Sequence, residues 1–354
     1  MKKQYLFATI LFLLTIVYDL QAQISIVLEG VEQPTSVLLD GNDLYYGEFQ
    51  GGFYKYDITT SAVPIVIFST NGIYRTVKAG NFIYISESFA GRISKIDITE
   101  PIPQPVVVIE NLDFPAGLAI KDNFLYFAEN VFDNSDTGFI SKIDLNESSP
   151  VKTIVSSETS DPNGIGIIGN DLYFSEWASG NIFKIDLTNS SAPPVVVVSG
   201  LSNPTEIIVS GNNLLVSEFS NNKVLNVDVS SSPAIVTDIV TDIISPTGLF
   251  LSGEDLYISE FGANQIVKFG SPVFGVLDNQ IANSKLVLSP NPSTDFVQVS
   301  GLTDTSKYTI YNNIGTEVNF GTIADNQKLN VMNLETGVYF IRFENGNALK
   351  FIKK

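Results

Sequence analysis

A chain of 354 residues that is 44% hydrophobic, with 26 glycines and 16 prolines, can bury a large core and is rich in turn-formers. It has neither cysteine nor histidine, which excludes disulfides and thiolate chemistry and removes the commonest general base and nitrogen metal ligand. A formal charge of −18 argues against nucleic acid or anionic lipid as a partner and suits divalent cations better.

At the N-terminus, Lys2 and Lys3 precede an apolar segment at 6–17 and a small-residue cleavage site at Leu20-Gln21-Ala22. This is the pattern of a signal peptide over 1–22. Twelve apolar residues are too few to span a bilayer comfortably, and no later segment is long or apolar enough. The expected mature chain is exported and has no transmembrane span.

From residue 34 a unit repeats. Its clearest copy, PNGIGIIGNDLYFSEWASGNIFKID at 162–186, reads as three short apolar strands separated by Gly-Asn-Asp and polar turns. A glutamate closes the second strand of every copy: Glu48, Glu87, Glu129, Glu176, Glu218 and Glu260. Fourteen residues earlier stands Pro34, Ile73, Pro115, Pro162, Pro204 or Pro246, and the glutamates are spaced by 39, 42, 47, 42 and 42 residues. Six units of this length with four short strands each predict an all-β fold, a six-bladed β-propeller over 23–270. The sixth unit lacks a fourth strand, while ISIVLEGVEQP at 24–34 has the fourth-strand pattern of VVVVSGLSNP at 195–204. The N-terminal strand is therefore expected to complete blade 6 and close the ring. The glutamate-to-third-strand loop of blade 3 carries five extra residues around FDNSDTG at 132–138.

The repeat fades into a linker at 271–284, and 285–354 reads as a small β-sandwich. Its motifs LVLSPNPSTDFVQVSG (286–301), YTIYNNIGTEV (308–318), LNVMNLETGVYFIRF (329–343) and the basic end KFIKK resemble the type IX secretion sorting domain, type A. The resemblance implies contact with the type IX machinery through 285–354 and export across the Gram-negative outer membrane. In that family the domain is generally cleaved, and its cargo is released or tethered at the cell surface. LYFSEWASGNIFKI (172–185) and LYISEFGANQIVKF (256–269) resemble NHL and streptogramin-lyase repeats, a strong signal for fold and a weak one for function. The lyase's chemistry needs histidine with magnesium, and this chain has no histidine. Similar folds in the gluconolactonase family bind calcium through Glu, Asn and Asp at the channel mouth, which keeps a histidine-free site open.

The six glutamates lie near one opening, as an acidic funnel for a cation such as Ca2+ or as acceptors for backbone N–H groups. Their recurrence in every blade favours the structural role, since function breaks symmetry. Two positions do break it. Two residues after the repeat proline stand Ser36, Gly117, Gly164 and Gly248, but Arg75 in blade 2 and Glu206 in blade 5. These blades face each other across the channel, where Arg75 suits an anionic group and Glu206 a cation or hydroxyl. Trp177 follows Glu176 where Phe49, Phe219 and Phe261 stand in other blades, suited to stacking on a sugar ring or to packing on the next blade. Asn163 is placed on the same rim. Asp133 and Asp136 offer closely spaced oxygen ligands for calcium, or form a solvated turn. Third-strand lysines recur at Lys55, Lys95, Lys142, Lys184 and Lys268, four of them two residues before an aspartate with which a pairing is expected. The sequence thus reads as an exported, non-catalytic module binding a glycan or peptide. The alternative is a calcium-dependent hydrolase or lactonase at the same mouth, and a purely structural or adhesive surface component is a third reading.

Overall fold

The structure is a computed structural model that describes residues 23–60, 62–70, 72–131, 137–270, 287–300, 302, 305–312, 317–343 and 348–354. The signal-peptide and linker assignments, and Asp133 and Asp136, lie outside these residues. The chain divides into two compact units, Met1–Val276 and Leu277–Lys354.

The first unit is a six-bladed propeller of four-stranded antiparallel sheets. Blade 4 shows the plan: Pro162–Ile168, Asp171–Glu176, Asn181–Asp186 and Val195–Val198 follow one another outward from the axis. The first two strands are joined by two-residue turns whose first position has positive φ, supplied by Gly41, Gly80, Gly169, Gly211 and Gly253, and in blade 3 by Asp122. That is the turn geometry matching the twist of an antiparallel hairpin. Second strands such as Leu172–Ser175 are buried along their whole length, because each blade is covered on both faces by its neighbours. Burial on both faces explains their continuous apolar runs in place of alternation.

The N-terminal strand Gln23–Glu29 closes the ring. It pairs antiparallel with the third strand of blade 6, Gln23 opposite Gly270 and Glu29 opposite Gln265. Every outer strand is short, and its pairing with the third strand is broken by a register shift. Short, bulged edges are poor templates for pairing with another chain.

The recurring lysines pair differently from expectation. Lys55, Lys184 and Lys268 reach across to Asp43, Asp171 and Asp255 on the second strand, at 2.6, 3.1 and 3.1 Å. Where that neighbour is Phe82 or Phe124, Lys95 and Lys142 lie over its ring instead. The aspartates two residues on (Asp57, Asp97, Asp186) accept bonds from the backbone and hydroxyl of Thr59, Thr99 and Thr188, closing the turn that follows.

The second unit is a sandwich of a three-stranded sheet (Val287–Ser289, Phe296–Ser300, Lys328–Asn330) and a four-stranded one (Glu317–Ile323, Ser306–Asn312, Gly337–Phe343, Ala348–Lys353). Val297, Val299, Ile310, Ile341 and Phe351 form its core.

Candidate functional site

All six first strands line the axis, around a cavity of 350 Å3 with apolar walls such as Val37, Ile165 and Leu249. Near the glutamate end each of these strands is bulged just after the repeat proline position, as between Pro162 and Ile165 or Pro204 and Ile207. A bulge re-aims side chains that would otherwise follow the pleat. The N–H groups it releases are captured by the serine before the repeat glutamate. Ser86, Ser175 and Ser217 accept from the N–H of Arg75, Gly164 and Glu206, each at 2.9 Å. The residues between proline and strand also stitch blade to blade: Thr35 donates to Ile73 O, Thr205 to Pro246 O, and Thr247 to Pro34 O. Glycine is required two residues after the proline where strands crowd, since a Cβ on Gly164 would lie 2.4 Å from Thr205 O.

Where Arg75 and Glu206 take that place, the channel is crossed. Arg75 and Glu206 meet from opposite blades, Nε to Oε2 at 2.7 Å, with 1% and 8% of their surface exposed. The contact is ionic rather than an aligned hydrogen bond, because the Nε–H finds no acceptor in line. The guanidinium donates to Thr35 O (3.0 Å), Tyr74 O (2.7 Å) and Asn163 Oδ1 (3.2 Å), and lies over the Tyr74 ring at 4.5 Å. Asn163 Nδ2 donates in turn to the Tyr74 hydroxyl. Burial pushes the Glu206 carboxyl up to about 7, against the opposing pull of Arg75 and of the Ile207 N–H. Arg75, Glu206 and Asn163 thus form a floor, satisfying one another instead of pointing outward separately.

Above the floor stands a collar of rings. Trp177, Phe219, Phe261 and Phe49, from blades 4, 5, 6 and 1, follow at centroid spacings of 5.1, 5.8 and 5.9 Å and interplanar angles of 56°, 62° and 68°. Each step is close to one sixth of a turn, as six-fold rotation demands of planes standing parallel to the axis. The collar continues through Phe89, Phe114 and Tyr74. In blade 2 the ring is displaced one residue by Ser88, and in blade 3 buried Asn130 takes the aromatic position. Phe49, Tyr74, Trp177, Phe219 and Phe261, with Arg75, line a vestibule of 150 Å3, whereas Glu206 lines the axial cavity. Trp177 both packs on the next blade and faces this space.

The six repeat glutamates are buried and engaged within their own loops. Glu48, Glu176, Glu218 and Glu260 each accept from the backbone N–H sixteen residues earlier, at Glu32, Ser160, Ser202 and Ile244. Glu87 is held by Arg92 and Ser94, and Glu129 by Lys152. Among the described residues no cluster of three or more acidic side chains is arranged to hold a metal ion. Tyr74, Phe89, Phe114 and the capturing serines were missed in the sequence. The serines left a signal in the Ser-Glu dipeptide that ends four of the second strands.

Residues 288–354 match the model of the secretion system C-terminal sorting domain. This tail is a type IX secretion sorting domain. The sorting tail marks the chain for export to the cell surface or for secretion, and for contact with the type IX machinery. No helix among the described residues is long and apolar enough to cross a membrane. No curated protein sequence matches the chain. Solved propellers match its fold. They include a luciferin-regenerating enzyme (TM-score 0.56, 10% identity, 71% of this chain and 96% of that one). A PQQ-bound aldose sugar dehydrogenase from Streptomyces coelicolor matches at TM-score 0.56 and 12% identity, over 71% and 98%. Virginiamycin B lyase from Staphylococcus aureus matches at 0.51 and 14%, over 70% and 99%. These likenesses show a propeller fold and carry no activity with them.

Proposed function

We propose that the exported propeller is a non-catalytic binding module whose aromatic vestibule takes one ring or side chain of a glycan or peptide. The collar carries this reading: half-buried rings of Phe49, Trp177, Phe219 and Phe261 stand around a space with few polar atoms. Its 150 Å3 is well below the roughly 300–1,000 Å3 of sites that enclose a whole small molecule. Such a space suits the end of a larger ligand. A catalytically inactive form of virginiamycin B lyase carries a histidine-to-alanine change, and this chain has no histidine to supply.

Glycan and peptide arrays probed with the mature protein, followed by calorimetry of the hits, test the proposal. Trp177→Ala and Phe219→Ala should each weaken binding at least about tenfold, a loss of 1.4 kcal/mol or more. Unchanged affinity in both variants would remove the vestibule as the site. One observation favours the alternative of a calcium-dependent hydrolase or lactonase: a buried axial carboxyl, Glu206, poised near neutrality. Lactone hydrolysis that requires added calcium and disappears in Glu206→Gln would replace the binding reading with that one.

A further inference from the structure

The four-stranded sheet of the sorting tail buries one face and leaves the other open. Tyr308, Ile310, Ile323, Tyr339, Ile341 and Phe351 point into the sandwich core. On a solvated face the alternating positions are normally polar. Here they include Val318, Phe320, Tyr311, Val338, Phe340 and Ile352, beside Thr309, Thr322, Arg342 and Lys350. Phe320 is 72% exposed, Phe340 41% and Ile352 40%. Register places them side by side. Phe320, Thr309 and Arg342 form one cross-strand row, Tyr311, Phe340 and Lys350 the next, and Val338 and Ile352 a third.

Two cations stand in these rows. Arg342 lies between Thr309 and Ala348, and Lys350 stands on the edge strand beside Phe340; neither makes an ion pair among the described residues, while Glu317 occupies one corner. Exposed aromatic residues with an arginine among them are the composition of a recognition surface, and an apolar patch of this kind left in water implies a partner. The segment is a sorting domain, so its partner belongs to the export apparatus rather than to the cargo it follows. We propose that this open face is the surface the secretion machinery reads, docking an acceptor with an apolar patch bordered by carboxylates. The ligand of the vestibule plays no part in this inference.

The test uses the full chain, expressed in a bacterium with a working type IX system. Phe320→Asp, Phe340→Asp and Arg342→Glu should each cut the surface-exposed or secreted fraction at least about fivefold, with the protein retained in the periplasm. Met332→Asp, exposed on a turn outside this sheet, serves as the control and should export normally. Thermal melting of the purified variants separates docking from folding. The milder Phe320→Ser replaces any variant that fails to fold. A photo-crosslinker at position 320 should capture a secretion component. Wild-type export by the face variants, or crosslinks confined to the protein's own propeller, would overturn the proposal.

Discussion

Arg75 and Glu206 are buried together across the channel, the guanidinium also holding Thr35 O, Tyr74 O and Asn163 Oδ1. Breaking a buried pair by removing one partner typically costs about 3–5 kcal/mol, most of it from the charge left behind. The two single variants should differ. Arg75→Leu strands a carboxyl that can take up a proton, so its loss of stability should be large at pH 8 and smaller at pH 5. Glu206→Gln strands a guanidinium that stays charged at every pH, so its loss should persist. The wild type has its own signature. The Glu206 pKa is raised from 4.5 to about 7, so between these values the folded chain holds more protons than the unfolded one. Stability from this group therefore falls as pH rises through that window and is level above it. Melting curves from pH 4.5 to 8 should show this slope, and Glu206→Gln should flatten it. Individual residue types at the site were legible in the sequence, because Arg75 and Glu206 interrupt a run of Ser and Gly. Their mutual pairing was not, since it joins opposite blades and depends on how far each bulge throws its side chain.

The bulged first strand is the element that builds the site, and the serine before the repeat glutamate makes the bulge affordable in hydrogen bonds. Ser217 Oγ accepts from the Glu206 N–H at 2.9 Å and donates to Thr247 O at 2.7 Å, joining blade 5 to blade 6. Ser217→Ala should cost about 1–3 kcal/mol, the penalty of leaving buried groups unpaired. Ser259 has the same sequence context in blade 6, but its hydroxyl finds no partner. Ser259→Ala should therefore be close to neutral in urea unfolding, and an equal cost at both positions would refute the assignment. Strand identities were readable because Gly-Asn turns and apolar runs are local signals. Bulges are not, since they belong to the packing of one first strand on the next, where Thr205 O leaves no room for a Cβ on Gly164.

At the scale of the molecule, all of the net charge resides upstream of the tail, whose six acidic side chains are matched by six basic ones. Blade number, ring closure and the sorting tail were all legible, because each rests on spacing or motif rather than on side-chain direction. The collar was only partly so: Phe49, Trp177, Phe219 and Phe261 align by repeat position, whereas Phe89 and Phe114 join from shifted positions that alignment hides. Closure makes the ring sensitive at its seam. Deleting 23–29 removes the outer rung of blade 6 together with Val27 and Leu28, which pack against a buried cluster that includes Tyr257 and Ile266. A loss of several kcal/mol should lower the melting temperature by on the order of 10 °C. Adding the peptide QISIVLE in excess should restore much of it by mass action. A melting curve indifferent to the deletion would show that the seam is held by other contacts.

The same seam sets Gln23 beside Gly270, so the two ends of the propeller are next-door neighbours in space. A circle built this way has no privileged beginning. A short tether between those ends, with a new opening cut in the exposed connection at 188–194, would yield a circular permutant with the same six blades in rotated order. Its vestibule should be indistinguishable from that of the parent.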